Sequence, residues 1–401
     1  MKKLKNTYIR TFVVVFALIV SGLCHAMEET TTAGDDSVNV SLLTCSPGNE
    51  VYSLYGHTAL RYHDLRTGED WTFNYGVFNF RKPFFSLRFM VGLTDYELGV
   101  LPFQLFRQEY MRHGRSVSEQ VLNLTPQEKH RLKAALAENY RPENREYRYN
   151  FFRDNCTTRA RDMVERSIVG EQLFYPAQQP LNAGVGELPT LREMIHKYCE
   201  GHPWARFSND LCLGLTADIK MTWREQQFLP ELLMADFSES YIVDNSGGTR
   251  PLVRATRTVV DPGVRFVEEE FPLTPTECFA LLLAITVGIA IIEYKRKRTF
   301  VVWDVVLMAL TGLSGILLSV FFCSQHPTTS TNLLILLINP LPLFFIYKVA
   351  RRRPTMYWKL SVFMIILFFL GFFVQVYAEG MLLLALSLLV RSIVNIKLNK
   401  A

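Results

Sequence analysis

Beyond Pro275 the chain runs through five apolar segments, Cys278 to Ile292, Phe300 to Cys323, Leu333 to Val349, Leu360 to Tyr377 and Met381 to Ile396, each close to bilayer length. Backbone in lipid must satisfy its own N–H and C=O groups, so such segments become helices. Residues 277–401 therefore read as an all-α bundle of five transmembrane helices, the last with the weakest signal. Basic clusters at Lys295-Arg296-Lys297-Arg298, at Arg351-Arg352-Arg353 with Lys359, and at Lys397 with Lys400 fall in alternate loops, whereas Ser324 to Thr331 and Ala378 to Gly380 hold no Lys or Arg. The positive-inside rule then puts residues 27–276 outside the cytoplasm.

The other end agrees. Lys2, Lys3, Lys5 and Arg10 precede the apolar run Phe12 to Leu23 and then Cys24-His25-Ala26, the pattern of a signal peptide (1–26) cleaved after Ala26, with an uncleaved anchor as the alternative. Leu23 directly before Cys24 departs from the order of a lipoprotein signal. The net charge of +5 comes partly from the C-terminal loop clusters and does not point to nucleic acid. Of seven cysteines, Cys45, Cys156, Cys199 and Cys212 fall in the exported part; export permits a disulfide, and Cys199 with Cys212 is the candidate pair.

The exported part divides into residues 27–170, which carry the informative motifs, and an accessory region, 171–276. Val38 to Thr44 reads as a strand. Tyr55-Gly56-His57-Thr58-Ala59-Leu60-Arg61-Tyr62 and Trp71-Thr72-Phe73-Asn74-Tyr75-Gly76 read as the two strands of a hairpin turning at Leu65-Arg66-Thr67-Gly68. If paired residues sum to 133, His57 lies opposite Gly76 and Asn74 is its diagonal neighbour; a one-residue slip substitutes Tyr75. Strands at Asp95 to Leu101 and Arg115 to Leu124, a helix at Pro102 to Arg112, and a helix from the capping box Thr125-Pro126-Gln127-Glu128 to about Tyr140 follow.

The stretch Tyr149-Asn150-Phe151-Phe152-Arg153-Asp154-Asn155-Cys156-Thr157-Thr158 reads as an apolar strand running into a helix with Cys156 on its first turn. Asp154 or Asn155 can cap that helix, and its dipole and free N–H groups favour a thiolate, with Arg153 and Arg159 close enough in sequence to lower the pKa further. The alternative is a small buried thiol.

Three further features carry paired readings. Phe78 to Leu93 mixes Phe80, Phe84, Phe85, Leu87, Phe89 and Met90 with Arg81, Lys82 and Arg88, as suits a membrane interface or a buried loop. Helical pieces at Thr190 to Tyr198 and Gln226 to Phe237 and a strand at Leu252 to Val260 are expected to pack on the catalytic unit and link it to the membrane, with His196 and His202 structural. His326, Asn332 and the break at Asn339-Pro340-Leu341-Pro342 mark either a lipid path or ordinary capping and a kink.

A histidine on a hairpin strand, a polar residue on the next and a cysteine at a late helix start resemble the permuted NlpC/P60 fold of lecithin:retinol acyltransferase-like enzymes. Tyr55-Gly56-His57-Thr58-Ala59-Leu60-Arg61, Asn74-Tyr75-Gly76 and Asn150-Phe151-Phe152-Arg153-Asp154-Asn155-Cys156-Thr157-Thr158 are similar to the periplasmic domain of Lnb-type lipoprotein N-acyltransferases. The resemblance implies an α+β, permuted papain-like domain in the periplasm on an inner-membrane helical bundle. It also implies a thiol-dependent acyltransferase with no cofactor and no metal, a membrane phospholipid as donor and diacylated lipoproteins as acceptors. Cys156 is then the nucleophile, His57 the base and Asn74 its orienter, with N–H groups at the start of the cysteine helix as an oxyanion hole. A cysteine endopeptidase acting on peptidoglycan and a non-enzymatic binding protein are the competing expectations.

Overall fold

The computed structural model describes residues 37–78, 83–176, 188–263, 271–326 and 328–398. The signal-peptide reading with Cys24, the aromatic and basic residues Phe80, Arg81 and Lys82, and Lys400 lie outside them.

The protein is α+β, with a sheet domain ahead of a helical membrane region. Seven antiparallel strands, β1 (Val38–Cys45), β2 (His57–Asp64), β3 (Asp70–Phe78), β4 (Asp95–Pro102), β5 (Val117–Leu122), β6 (Glu146–Arg148) and, after three strands of a second sheet at β7 (Gln172–Phe174), β8 (Tyr241–Val243) and β9 (Thr249–Pro251), β10 (Val253–Val260), run in the order β10-β5-β1-β2-β3-β4-β6. The period-2 alternation of β1 and β2 sends Leu42, Leu60 and Tyr62 to one face, under the helices Pro126–Tyr140 and Cys156–Ser167. Leu43, Cys45 and Ala59 go to the other, under Phe103, Phe106 and Tyr110 of the helix Phe103–Arg112. Thr125 and Glu128 form the expected capping box. In the hairpin, Ala59 pairs with Asn74 and Leu60 with Phe73, which is the register summing to 133. Its turn is set by Asp64, whose Oδ1 accepts from the N–H groups of Arg66 and Thr67, and by Gly68 at φ 76.

The expected strand into Cys156 is instead a tight turn beyond β6. Asn150 Oδ1 accepts from the N–H groups of Phe152 and Arg153, and the Asp154 N–H donates to Asn150 O at 2.9 Å, so the side chain competes successfully with a sheet ladder. Gln226 to Phe237 is likewise two helices, Trp223–Gln226 and Pro230–Glu239, because Pro230 starts a helix and cannot continue one.

β10 belongs to the accessory region yet pairs with β5 at the edge of the main sheet. Cys199 and Cys212 do not pair: both are free thiols, and Cys199 is held by Tyr55 Oη at 3.5 Å and Asn209 Nδ2 at 3.4 Å. The helices Leu191–Tyr198 and Pro203–Cys212 are tied by buried Arg192, which donates to Asp210 at 2.8 Å and Asp218 at 2.7 Å.

This region docks on the membrane part. Phe207 packs in one apolar cluster with Leu318, Leu334 and Phe368, the Gly214 N–H donates to Thr328 O at 2.7 Å, and Asn332 Nδ2 donates to Leu211 O at 2.9 Å. With the Val376 N–H donating to Asp218 Oδ2 at 3.3 Å, the loops around residues 328 and 376 lie on the side of the bundle that carries the accessory region, as the charge alternation requires.

All five apolar segments hold helix. Four are long and apolar enough to span: Pro275–Arg296, Val301–Phe322, Leu333–Ala350 and Met381–Leu398. The fourth in order, Tyr357–Gly371, is the short one at 15 residues, rather than the last. The third is broken as expected, into a 3-10 turn Leu333–Leu336 and a helix Leu341–Ala350. Asn332 caps the first piece and Asn339 Oδ1 accepts from the Leu341 N–H at 3.1 Å, which is capping and a kink. At the opposite end of the bundle from the sheet domain, buried Arg391 donates to Asp304 Oδ1 at 2.8 Å and pairs with Glu293, joining the first, second and last helices.

Candidate active site

Asn155 is the residue that sets the cysteine helix. Its Oδ1 accepts from the N–H groups of Thr157 and Thr158, both at 2.9 Å, and Thr158 Oγ1 returns an acceptor to the Asn155 N–H. The same amide donates to Phe151 O at 2.9 Å and Phe228 O at 2.8 Å. Asp154, the other capping candidate, is instead paired with Arg159 at 2.5 Å. Cys156 therefore begins the helix at a fixed depth, 9% exposed.

β2 starts at His57, directly after Gly56 at φ 77, where a Cβ would stand 2.6 Å from Cys45 O; only glycine fits. β3 holds Asn74 and then bulges, since Asn74 pairs with Gly99 but Val77 with Glu97. Gly76 lies in that bulge at φ 86, and a Cβ there would stand 3.9 Å from Cys156 Cβ. The strand ends and the helix start thus meet. His57 Nε2 is 3.2 Å from Asn74 Oδ1, and the imidazole lies near enough to Cys156 that each shifts the other's pKa. With Nε2–H given to Asn74, Nδ1 is the atom left for the sulfur.

The electrostatics separate Cys156 from its neighbours. Burial pushes its pKa up, but the His57 charge and hydrogen bond, the Thr58 N–H and the Thr157 hydroxyl outweigh this and bring it down to about 7. Burial likewise works against the His57 cation, and the facing Cys156 and Asn74 overcome it, raising the imidazole above its ordinary value. Cys45, buried without such a partner, is pushed up to about 12. Shifts in these two directions favour a thiolate beside an imidazolium, the state in which sulfur is a nucleophile.

The structure brings together Cys156, His57 and Asn74. Tyr75 goes elsewhere: it is 1% exposed and donates to Asn139 Oδ1 at 2.7 Å. Neither arginine is among the main causes of the thiol's shift: Arg159 is engaged by Asp154 and stacks on Tyr147 at 3.5 Å, while Arg153 acts on Glu225. The Thr157 and Thr158 N–H groups, part of the expected oxyanion hole, are taken by the cap.

Sequence reasoning missed three contributors. Thr58 and Thr157 hydroxyls meet at 3.0 Å and fasten β2 to the cysteine helix. Phe228, from the accessory region, holds the Asn155 amide, and Gln227 Oε1 accepts from buried Arg161 on the same helix at 3.2 Å. Nothing local signals these contacts, which are made 99, 73 and 66 residues away.

The model of the Lnb N-terminal periplasmic domain matches residues 27–189, and that of the Lnb transmembrane domain matches residues 267–401. No curated protein and no solved structure matches the chain.

Proposed function

We propose, from the premise that the chain belongs to the Lnb family and is a multi-pass membrane protein with a periplasmic domain, that it moves a fatty acyl chain from a membrane phospholipid to the α-amine of a lipoprotein's diacylglyceryl cysteine. The observation that carries this is the buried Cys156 thiol with its pKa lowered to about 7 by His57, on a domain docked against membrane helices.

The Cys156 thiolate attacks the ester carbonyl carbon, the ester C–O bond breaks, and the lysophospholipid alkoxide leaves with the proton carried by His57. The acyl group rests as a thioester. The lipoprotein amine then attacks the same carbon, His57 takes the amine proton, the C–S bond breaks and the thiolate returns. Asn74 holds Nε2 so that one imidazole nitrogen stays aimed at the reacting atoms. With two N–H groups of the first turn capped, the Cys156 N–H is the donor left for the oxyanion.

We place the catalytic machinery in residues 27–170, the coupling role in 171–276, and the substrate-bearing membrane in contact with 277–401, the membrane being the inner one. Holding both substrates in one bilayer raises their effective concentration at the thiol. The test is the mass of lipoprotein N-terminal peptides from cells with and without this protein: N-acylation lost without it and restored by the intact chain supports the reading. Unchanged N-acylation, or cleavage of wall peptides in its place, overturns it.

A further inference from the structure

The short helix Phe85–Met90 and its lead-in carry exposed apolar side chains, Phe84 at 79% and Leu87 at 58%, while the Phe89 ring packs edge-on against the His326 ring at 5.8 Å. Their height relative to the membrane is fixed by contacts. The Gln325 N–H donates to Val91 O at 3.0 Å, His326 Nε2 lies 2.8 Å from Phe89 O, and a Cβ on Gly92 would stand 2.7 Å from the His326 nitrogen. Gln325 and His326 follow directly on the span Val301–Phe322, at its end nearest the sheet domain. Apolar side chains at the level where a span leaves the hydrocarbon meet lipid rather than bulk water.

The same element is fastened to the catalytic sheet. Arg88 pairs with Asp95 at the start of β4, Asp95 also holds Arg148 of β6 at 3.1 Å, and Arg148 donates to Gly92 O at 3.2 Å. From here a row of rings leads to the thiol: Phe78 lies 4.6 Å from Tyr96, Tyr96 stacks on Tyr149 at 4.3 Å, and the Tyr149 ring borders Gly76 beside Cys156. The other end of the hairpin, at Arg66, is about 23 Å away at the usual rise per strand residue. Cys156 and His57 therefore sit at the membrane end of the sheet.

We propose that Phe84 and Leu87 insert into the leaflet on the sheet-domain side as an interfacial anchor. The anchor continues the outer-loop contact with Gln325 and His326, which commits its occupant to lipid.

The anchor is tested with the full chain in phospholipid vesicles. Phe84→Trp and Leu87→Trp each add tryptophan emission over the parent, and Arg66→Trp in the β2–β3 turn serves as the control. Lipids with brominated acyl chains are expected to quench the added emission at 84 and 87 and leave that at 66 unchanged. Unquenched emission at 84 and 87, as water or a protein partner on the patch would give, overturns the anchor. This readout needs no turnover and stands apart from the reaction.

Discussion

His57 Nε2 and Asn74 Oδ1 lie 3.2 Å apart on adjacent strands whose register places Ala59 opposite Asn74. With Asn74 Oδ1 accepting from Nε2–H, Nδ1 is the nitrogen left to exchange a proton with Cys156. Removing the thiol is therefore expected to end activity outright, in Cys156→Ala and Cys156→Ser alike, with the protein still accumulating in the membrane. His57→Ala should cost about 10²–10⁴-fold as the loss of a general base. Asn74→Ala should cost about tenfold, since it loosens the base without deleting it. Acyl transfer by purified variants in lipid checks the ranking.

Tyr75 supplies the contrast. Tyr75→Phe removes one hydrogen bond to Asn139 and should lower stability by about 1 kcal/mol while leaving transfer intact. Thermal denaturation and a transfer assay on the same preparation separate the two effects. Loss of activity at full stability would return Tyr75 to the site.

The thiol pKa lowered to about 7 sets a pH dependence. Thiolate is the reactive form, so alkylation of Cys156 by iodoacetamide should rise with pH through about 7 and level off above it. In His57→Ala the lowering partner is gone while burial remains, so the inflection should move to higher pH. Cys45 at about 12 and Cys212 at about 11 stay protonated over this range, and peptide mapping reads Cys156 apart from them.

Much of this site could be read from the chain because its signals are local. The hairpin turn, the capping box at Thr125 and the Asn155-Cys156-Thr157-Thr158 helix start each lie within a few residues of the group they position. The turn before Cys156 was not legible, because an apolar Phe151-Phe152 pair looks the same in a strand as in a turn, and Asn150 decides it by bonding its own backbone. Nor was the bulge at Tyr75 and Gly76, or the clamp from Phe228, since both depend on neighbours brought in by the fold. Length misled on the fourth membrane helix: Phe372 to Tyr377 is apolar but closes in turns, where Gln375 bonds Asn332 and the Leu333 N–H.

Asn155 is expected to be the most sensitive structural position near the thiol. Asn155→Ala removes the cap and should cost about 1–2 kcal/mol. Asn155→Asp keeps the acceptor but sets a carboxylate against the carbonyls of Phe151 and Phe228, so it should rescue little. Comparing denaturation midpoints of the two variants distinguishes a cap from a clamp; full rescue by Asp would reduce Asn155 to a cap.

In the membrane part, Arg391→Ala leaves Glu293 and Asp304 buried without their cation and should destabilise the bundle by about 3–5 kcal/mol. Detergent-resistant folding and protein level in the membrane report it. A level equal to that of the parent would contradict the pairing.

The acyl thioester on Cys156 is the claim on which the mechanism turns, and intact-protein mass reads it most directly. Purified protein given phospholipid and no lipoprotein is expected to gain the mass of one fatty acyl chain on Cys156. The adduct should be removed by neutral hydroxylamine and discharged onto a diacylated lipopeptide with a free amine. No lipid-dependent adduct in the parent protein, or the same adduct in Cys156→Ala, would contradict the account.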